Sequence, residues 1–513
     1  MKKKKFPLLY WRRLSQTIFL LLFLILFRLT DYSGQDQIPY AVNIFFRLDP
    51  LVAASAMLAA RAIISLLLLS LVVVGLTLIL GRFFCGWFCP LGTLLDLSRP
   101  LLAPAKKTKP VPNRRSWKYY LLAFILITAV LGLPVVGYFD PFSLLVRGMA
   151  VAVDPFFNYT IASFFDLLYR QGPSWLSGLS EPVYTFFKDS LLPYGQKFFT
   201  LSFLSFLILL SIFALERLER RFWCKNLCPL GGLLSLLSRI SWLRGHIRPT
   251  CRTCRVCTQI CRMEAIDPDE GVAPGDCNLC LDCLDRCPDH SIAFLFNRPA
   301  QAQRPLGVSR RAFIGTVATG LILPTALKVR AENKIPERNL IRPPGALTED
   351  QFLGRCVRCG ECMKVCLNNA LQPSWLESGP EGLFSPRLIP RIGYCEFNCT
   401  LCGQVCPSGA IQKLTLPEKQ KKVIGLAYFD KNRCIPYAKG VPCIVCEEHC
   451  PVSDKAIKFR ETEVINQEGK TVILKQPYVI EALCIGCGIC ENKCPLEGNA
   501  GVLVIPNQPG RKS

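Results

Sequence analysis

Residues 251–287 read CRTCRVCTQICRMEAIDPDEGVAPGDCNLCLDCLDRC, two consecutive runs of four cysteines spaced C-x2-C-x2-C-x3-C. This is the ligand spacing of cubane iron-sulfur clusters. Three cysteines two residues apart wrap one corner of a cube, and the fourth, often before Pro, points away and ligates the neighbouring cluster. Cys251, Cys254, Cys257 and Cys287 are therefore expected to hold one [4Fe-4S] cluster, and Cys277, Cys280, Cys283 and Cys261 the other.

Four more groups follow: Cys356, Cys359, Cys362 and Cys366; Cys395, Cys399, Cys402 and Cys406; Cys434, Cys443, Cys446 and Cys450; and Cys484, Cys487, Cys490 and Cys494. No Pro follows Cys261 or Cys366, and the third late group opens with a long gap before Cys443. A nested pairing is expected, first with fourth and second with third. Zinc is the plainer ligand for thiols, but zinc sites use two C-x2-C knuckles set well apart, often with His. Six compact groups favour six [4Fe-4S] clusters.

Apolar residues concentrate before residue 240, and four spans are expected at about 14–30, 62–81, 119–137 and 199–215, each near the roughly 20 residues needed to cross a bilayer. The formal charge is +23, of which +19 lies in residues 1–331. Lys2 to Lys5, Arg12 and Arg13 precede the first span. Arg99, Lys106, Lys107, Lys109, Arg114, Arg115 and Lys118 sit between the second and third. That asymmetry predicts membrane topology with cytoplasmic ends, and it argues against nucleic acid as a partner. Six cubanes with their thiolates would also remove about 12 units of charge.

The remaining four cysteines lie in a repeat. RFFCGWFCPLGTLL (residues 82–95) matches RFWCKNLCPLGGLL (residues 221–234) at an offset of 139. Cys85 and Cys89, like Cys224 and Cys228, stand at i and i+4 and share a helix face. With pseudo-twofold packing these four could form a thiolate site for zinc, iron-sulfur or Cu(I); alternatively they are reduced thiols that help helices pack. Asp49-Pro50 and Asp140-Pro141 read as helix caps, or as carboxylates that take a proton from a quinol.

No histidine falls in a span, no C-x-x-C-H attaches a c-type haem, and no dinucleotide fingerprint appears. An electron is the expected cargo, with no catalytic acid, base or nucleophile. Ser309-Arg310-Arg311-Ala312-Phe313-Ile314-Gly315, an apolar stretch to Leu327 and Val329-Arg330-Ala331 have the layout of a twin-arginine signal. A domain whose clusters are built in the cytoplasm must cross already folded. Cleavage after Ala331 and a fifth span are both open, and a basic patch before a short buried helix is the plainer reading.

These features resemble the NapH and NapG proteins fused in one chain, with a NapG/MauM-like C-terminal half. The resemblance implies residues 1–240 as a polytopic α-helical membrane domain with a two-fold repeat, 241–300 as a cytoplasmic two-cluster ferredoxin domain of α+β type, 301–331 as the signal, and 332–513 as a periplasmic four-cluster ferredoxin domain. It implies a quinol dehydrogenase in the bacterial inner membrane. The quinone pool, a periplasmic nitrate reductase or cytochrome c, and the twin-arginine translocase would be its partners. The C-x3-C-P repeat is also similar to CcoG-like proteins, implying copper reduction for cofactor assembly. A third reading keeps the C-terminal domain cytoplasmic.

Overall fold

The computed structural model describes residues 7–102, 114–171, 173–190, 192–267, 271–296, 305–332, 340–465 and 471–507. The apolar N-terminal half folds as helices, but none among the described residues is long and apolar enough to cross a membrane. This overturns the expected polytopic domain and the multi-pass inner-membrane location. The physical reason lies in interruptions that mean hydropathy does not register. The run at 62–81 gives a helix of only 11 residues, Ser70–Leu80, stopped by Gly81 at φ +82°. The run at 119–137 gives 14 residues, Trp117–Val130, and that at 199–215 gives 13, Ser202–Ala214. At 1.5 Å per residue these reach about 16–21 Å, against a hydrocarbon core of about 30 Å. The longer helix Pro7–Leu29 carries Arg12, Arg13 and Arg28.

The charges read as topology signals are partly internal. Arg12 is 1% exposed and ion-paired to Asp282 at 3.1 Å. Lys118 is fully buried and pairs with Asp276 at 3.1 Å, while Arg115 reaches Glu264 and Asp276. These cations fasten the helical block to the segment holding the first two cysteine groups. Lys2 to Lys5 and Lys106, Lys107 and Lys109 lie outside the described residues.

Asp-Pro pairs start two helices, since Asp accepts from free N–H groups and Pro has none to satisfy. Asp49 accepts from Leu51 N at 2.7 Å and Val52 N at 3.1 Å ahead of Pro50–Ala60. Asp140 accepts from Ser143 N at 2.7 Å ahead of Pro141–Gly148. The latter runs through a π turn, Met149–Val153, into Asp154–Gln171. The two repeat copies sit in one buried core, on Phe83–Trp87 with Pro90–Leu102 and on Trp223–Leu227 with Pro229–Ser238.

The cysteine groups ride on short helices joined by five two-stranded antiparallel sheets among the described residues. Leu243–Ile247 pairs with Ile292–Phe296, and Ile266–Asp267 with Gly271–Val272, around the first two groups. Leu371–Pro373 with Pro386–Leu388, Gly425–Phe429 with Val502–Pro506, and Ile457–Ile465 with Thr471–Val479 organise the later four. The twin-arginine segment forms the helix Arg310–Glu332, whose Gly320 packs against Ile127 and Phe124. Residues 333–339, just beyond it, lie outside the described residues.

Candidate metal centres

In each group the third cysteine sits on a helix of four or five residues that the fourth cysteine closes or closely follows. Val256–Ile260 before Cys261 and Glu361–Val365 before Cys366 are examples. The fourth cysteine then turns away, with extended backbone at ψ 114° in both cases. Backbone N–H groups reach several of these last sulfurs: Ala265 N donates to Cys261 Sγ at 3.2 Å, Ser291 N to Cys287 at 3.3 Å, Ile411 N to Cys406 at 3.4 Å and Gly501 N to Cys494 at 3.3 Å. Such bonds favour a sulfur that bears negative charge.

Three cavities each gather three cysteines of one group and the last of another. One is lined by Cys251, Cys254, Cys257 and Cys287; one by Cys356, Cys359, Cys362 and Cys406; one by Cys484, Cys487, Cys490 and Cys450. The reciprocal quartets follow from the charges each thiol faces. Cys283 lies in the field of Cys277, Cys280 and Cys261, Cys402 in that of Cys395, Cys399 and Cys366, and Cys434 in that of Cys443 and Cys494. Crossing at 251–287 is as expected. The nested pairing of the late groups is corrected: first pairs with second, and third with fourth. The long gap before Cys443 does not remove that group, because Cys446 still faces both Cys434 and Cys443.

The late quartets also adjoin one another. Cys362 faces Cys402, Cys395 N donates to Cys487 O at 2.8 Å, and Cys490 faces Cys446. The spatial order is thus the Cys356, Cys395, Cys484 and Cys434 quartets. Burial pushes these thiols up, Cys487 to about 11 and Cys395, Cys399 and Cys446 to about 12. Neighbouring thiols add to the effect. A ligand that takes these sulfurs as thiolates must displace their protons and bring compensating positive charge.

Among the described residues no group of three or more His, Cys, Asp or Glu converges to hold a metal ion. A single tetrahedral ion at about 2.3 Å from each sulfur needs ligands about 3.8 Å apart. A cubane takes its four thiolates at separate iron corners, and the crossed quartets with their N–H···S bonds fit that wider donor set.

The C-x3-C-P cysteines also lie near one another: Cys228 faces Cys224, Cys85 and Cys89. Sequence reading missed what surrounds them. Arg82 and Arg221 are almost fully buried, and Arg221 pairs with Asp96 at 2.6 Å. Burial pushes Asp96 up, yet Arg221 and Arg262 outweigh it and hold the carboxyl well below the usual range.

Crossed cysteine quartets on short helices and strand pairs define a ferredoxin-type protein with 4Fe-4S binding motifs. Family profiles agree. A 4Fe-4S binding domain profile matches residues 62–109, 198–250 and 402–420, a 4Fe-4S dicluster domain matches 355–410, and a further 4Fe-4S binding domain matches 477–497. The dicluster match spans the first and second late groups, which the structure pairs.

Among curated proteins, the methylamine utilization ferredoxin-type protein MauM of Methylorubrum extorquens is 35% identical, over 40% of this chain and 93% of its own length. The ferredoxin-type protein NapG of Escherichia coli is 36% identical over 32% of this chain and 70% of its own. The ferredoxin-type protein NapF of the same organism is 33% identical over 31% and 82%. The chain belongs to this MauM/NapG family of ferredoxin-type proteins. No solved structure matches.

These relatives correct the expected NapH–NapG fusion: they are ferredoxin-type proteins, and among the described residues no helix is long and apolar enough to form a membrane-spanning NapH-type domain. The quinol dehydrogenase expectation falls with it, because it needed a membrane-embedded quinol site. The copper-reduction alternative, which rested on the C-x3-C-P repeat, is corrected too, because the curated relatives are ferredoxin-type proteins.

Proposed function

We propose that the chain is a non-catalytic electron carrier that relays single electrons through six [4Fe-4S] clusters held by its 24 motif cysteines. The observation that carries this reading is the crossed pairing of the cysteine quartets together with the adjacency of the four late ones, which gives each cluster a near neighbour. Electrons would run between the Cys251 quartet at one end and the Cys434 quartet at the other, exchanging with protein partners of a respiratory chain such as a reductase or a cytochrome c. Kinship with NapG supports that setting, and Ser309 to Gly315 would address the chain to the twin-arginine translocase.

The test is anaerobic isolation with iron and sulfide analysis, followed by dithionite reduction under EPR. Four irons and four sulfides per quartet are expected, with magnetically coupled reduced clusters. Zinc, or one iron per quartet, would sink the proposal. Cys366→Ser should perturb the cluster of Cys395, Cys399 and Cys402 and spare that of Cys356, Cys359 and Cys362.

A further inference from the structure

Two arginines from distant parts of the chain meet at the Cys356 quartet. Arg147 lies on the helix Pro141–Gly148 of the helical block, and Arg358 stands between Cys356 and Cys359. The two segments touch backbone to backbone there: a Cβ on Gly137 would fall 2.2 Å from Val357 O, and one on Gly360 would fall 3.4 Å from Arg147 Cα. Arg147 and Arg358 are 2% and 1% exposed.

Neither guanidinium pairs with a carboxylate among the described residues. Carbonyl oxygens and ring faces hold them instead. Arg147 Nη1 donates to Gly137 O at 2.9 Å and to Arg358 O at 3.1 Å, and its Cζ stands 4.3 Å over the Phe384 ring. Arg358 donates from Nη1 to Pro134 O at 2.5 Å and Cys356 O at 3.3 Å, and from Nη2 to Glu381 O at 2.5 Å, with its Cζ 4.4 Å over the Tyr138 ring. Its Nε has no hydrogen-bond partner among the described residues. Phe384 presents its ring from the left-handed region, at φ 63°, a costly backbone for a bulky residue.

Carbonyls and rings stabilise a guanidinium without cancelling its charge. Burial pushes Arg147 down to about 10, which leaves it charged at pH 7. The groups of opposite sign that it faces are Tyr138, Cys359 and Asp140. Burial pushes the Tyr138 phenol up and keeps it neutral, and Asp140 faces Asp49 and caps its own helix. Other charges near the quartet cancel: Lys364 and Lys197 stand against Asp31 and Asp154, and Arg342 pairs with Glu349 at 2.5 Å. Glu361, which faces Cys359, offsets at most one of the two guanidiniums. Positive charge is left over beside these sulfurs. The other late quartets lack that surplus. Cys395 faces Lys419 but also Glu396, Cys399 faces Asp36, Cys434 faces Asp430, and Cys484 faces Glu481.

Each electron that enters a cluster adds a negative charge, so the charge around a cluster helps set its potential. We infer that Arg147 and Arg358 hold the cluster of Cys356, Cys359, Cys362 and Cys406 at the highest potential of the four late ones, so that electrons collect there, against the helical block. The inference rests on the electron-carrier reading and gives the block a task within it: Arg147 lends charge to a cluster whose four ligands all belong to the late groups. That cluster takes one electron from a reduced neighbour and passes one to an oxidised neighbour. No bond is made or broken.

The experiment is anaerobic redox potentiometry of the full chain followed by EPR, alongside Arg147→Gln, Arg358→Gln and the charge-keeping Arg147→Lys. Cys406→Ser assigns the signal, because it removes a ligand of that cluster. In the unaltered chain the assigned signal should be the first of the late four to appear as the potential is lowered. Each Gln variant should keep its iron and shift that centre's one-electron equilibrium toward the oxidised form by about tenfold, a fall of about 59 mV, and Arg147→Lys should leave it in place. A signal that appears after another late cluster's, or an unmoved midpoint in a Gln variant with its full iron, overturns the inference. The order of filling is read on the unaltered protein, so it decides the matter even where a Gln variant fails to fold. Iron missing from all the quartets would instead overturn the carrier reading itself.

Discussion

Asp49 and Asp140 are each 0% exposed, and each spends one oxygen on capping a helix. The remaining oxygens, Asp49 Oδ2 and Asp140 Oδ1, have no hydrogen-bond partner among the described residues, and the two carboxyls face each other. Burial and the facing carboxylate push Asp49 well above the usual range. Two carboxylates this close share one proton. The folded state therefore keeps a proton that the unfolded chain releases above about pH 4. Stability falls as pH rises from there toward the folded value, by about 1.4 kcal/mol per pH unit for one retained proton. Asp49→Asn keeps the cap and supplies the missing hydrogen. Its unfolding free energy should be flatter with pH, and the infrared carbonyl band of a protonated carboxyl at pH 7 should vanish. Parallel pH curves, with that band intact, would count against the shared proton. The capping half of this pair was legible in the Asp-Pro sequence; the meeting of positions 91 residues apart was not.

At the scale of elements, the turn carrying Cys85 abuts the Cys277 group backbone to backbone. A Cβ on Gly86 would fall 2.1 Å from Asn278 O, so any side chain there forces the two segments apart. Gly86→Ala should destabilise by about 1–3 kcal/mol or more in thermal or denaturant unfolding. Gly75→Ala, in the helix Ser70–Leu80 with nothing near its Cβ, should stabilise by roughly 0.5–1 kcal/mol. Equal effects would show that Gly86 marks no real contact. Elements also explain what the sequence could and could not disclose. Cluster motifs are local, so four thiols within a short stretch announce themselves. Which motif lends its last cysteine to which is decided by tertiary packing, and there the nested pairing failed. Hydropathy averaged over 20 residues ran across the break inside 62–81, where Ser65–Leu67 forms only a short turn ahead of the helix Ser70–Leu80. It therefore turned short packed helices into spans.

At the scale of the whole molecule, the helical block and the late quartets are joined by buried charge. Lys364, between Cys362 and Cys366, reaches Asp31 at 2.7 Å and Asp154 at 3.2 Å, and Lys197 reaches Asp31 at 3.1 Å. Burial pushes Asp31 up, but Lys364 and Lys197 outweigh it and the carboxyl lies below its usual range. It contributes stability above the unfolded pKa of about 4, lost as pH falls through the folded value. Asp31→Asn strands the buried Lys197 ammonium and leaves Lys364 with Asp154 alone, and should cost about 3–5 kcal/mol at pH 7, a difference that narrows in acid. Limited proteolysis across pH checks it, the variant being cut sooner between block and late module at pH 7. A constant difference down to pH 3 would exclude the ionised carboxylate as the cause. Arg12 and Lys118 entered the sequence reading as topology signals, because nothing in a charge count distinguishes a solvated cation from one sealed against aspartate.

The exchange of last cysteines between neighbouring groups sets a rule of growth. A motif gained or lost alone would leave one cube a ligand short and one thiol with nothing to bind. On the proposed six-cluster reading, duplication or deletion would lengthen or shorten the relay only two motifs at a time, and the chain's six motifs form three such pairs.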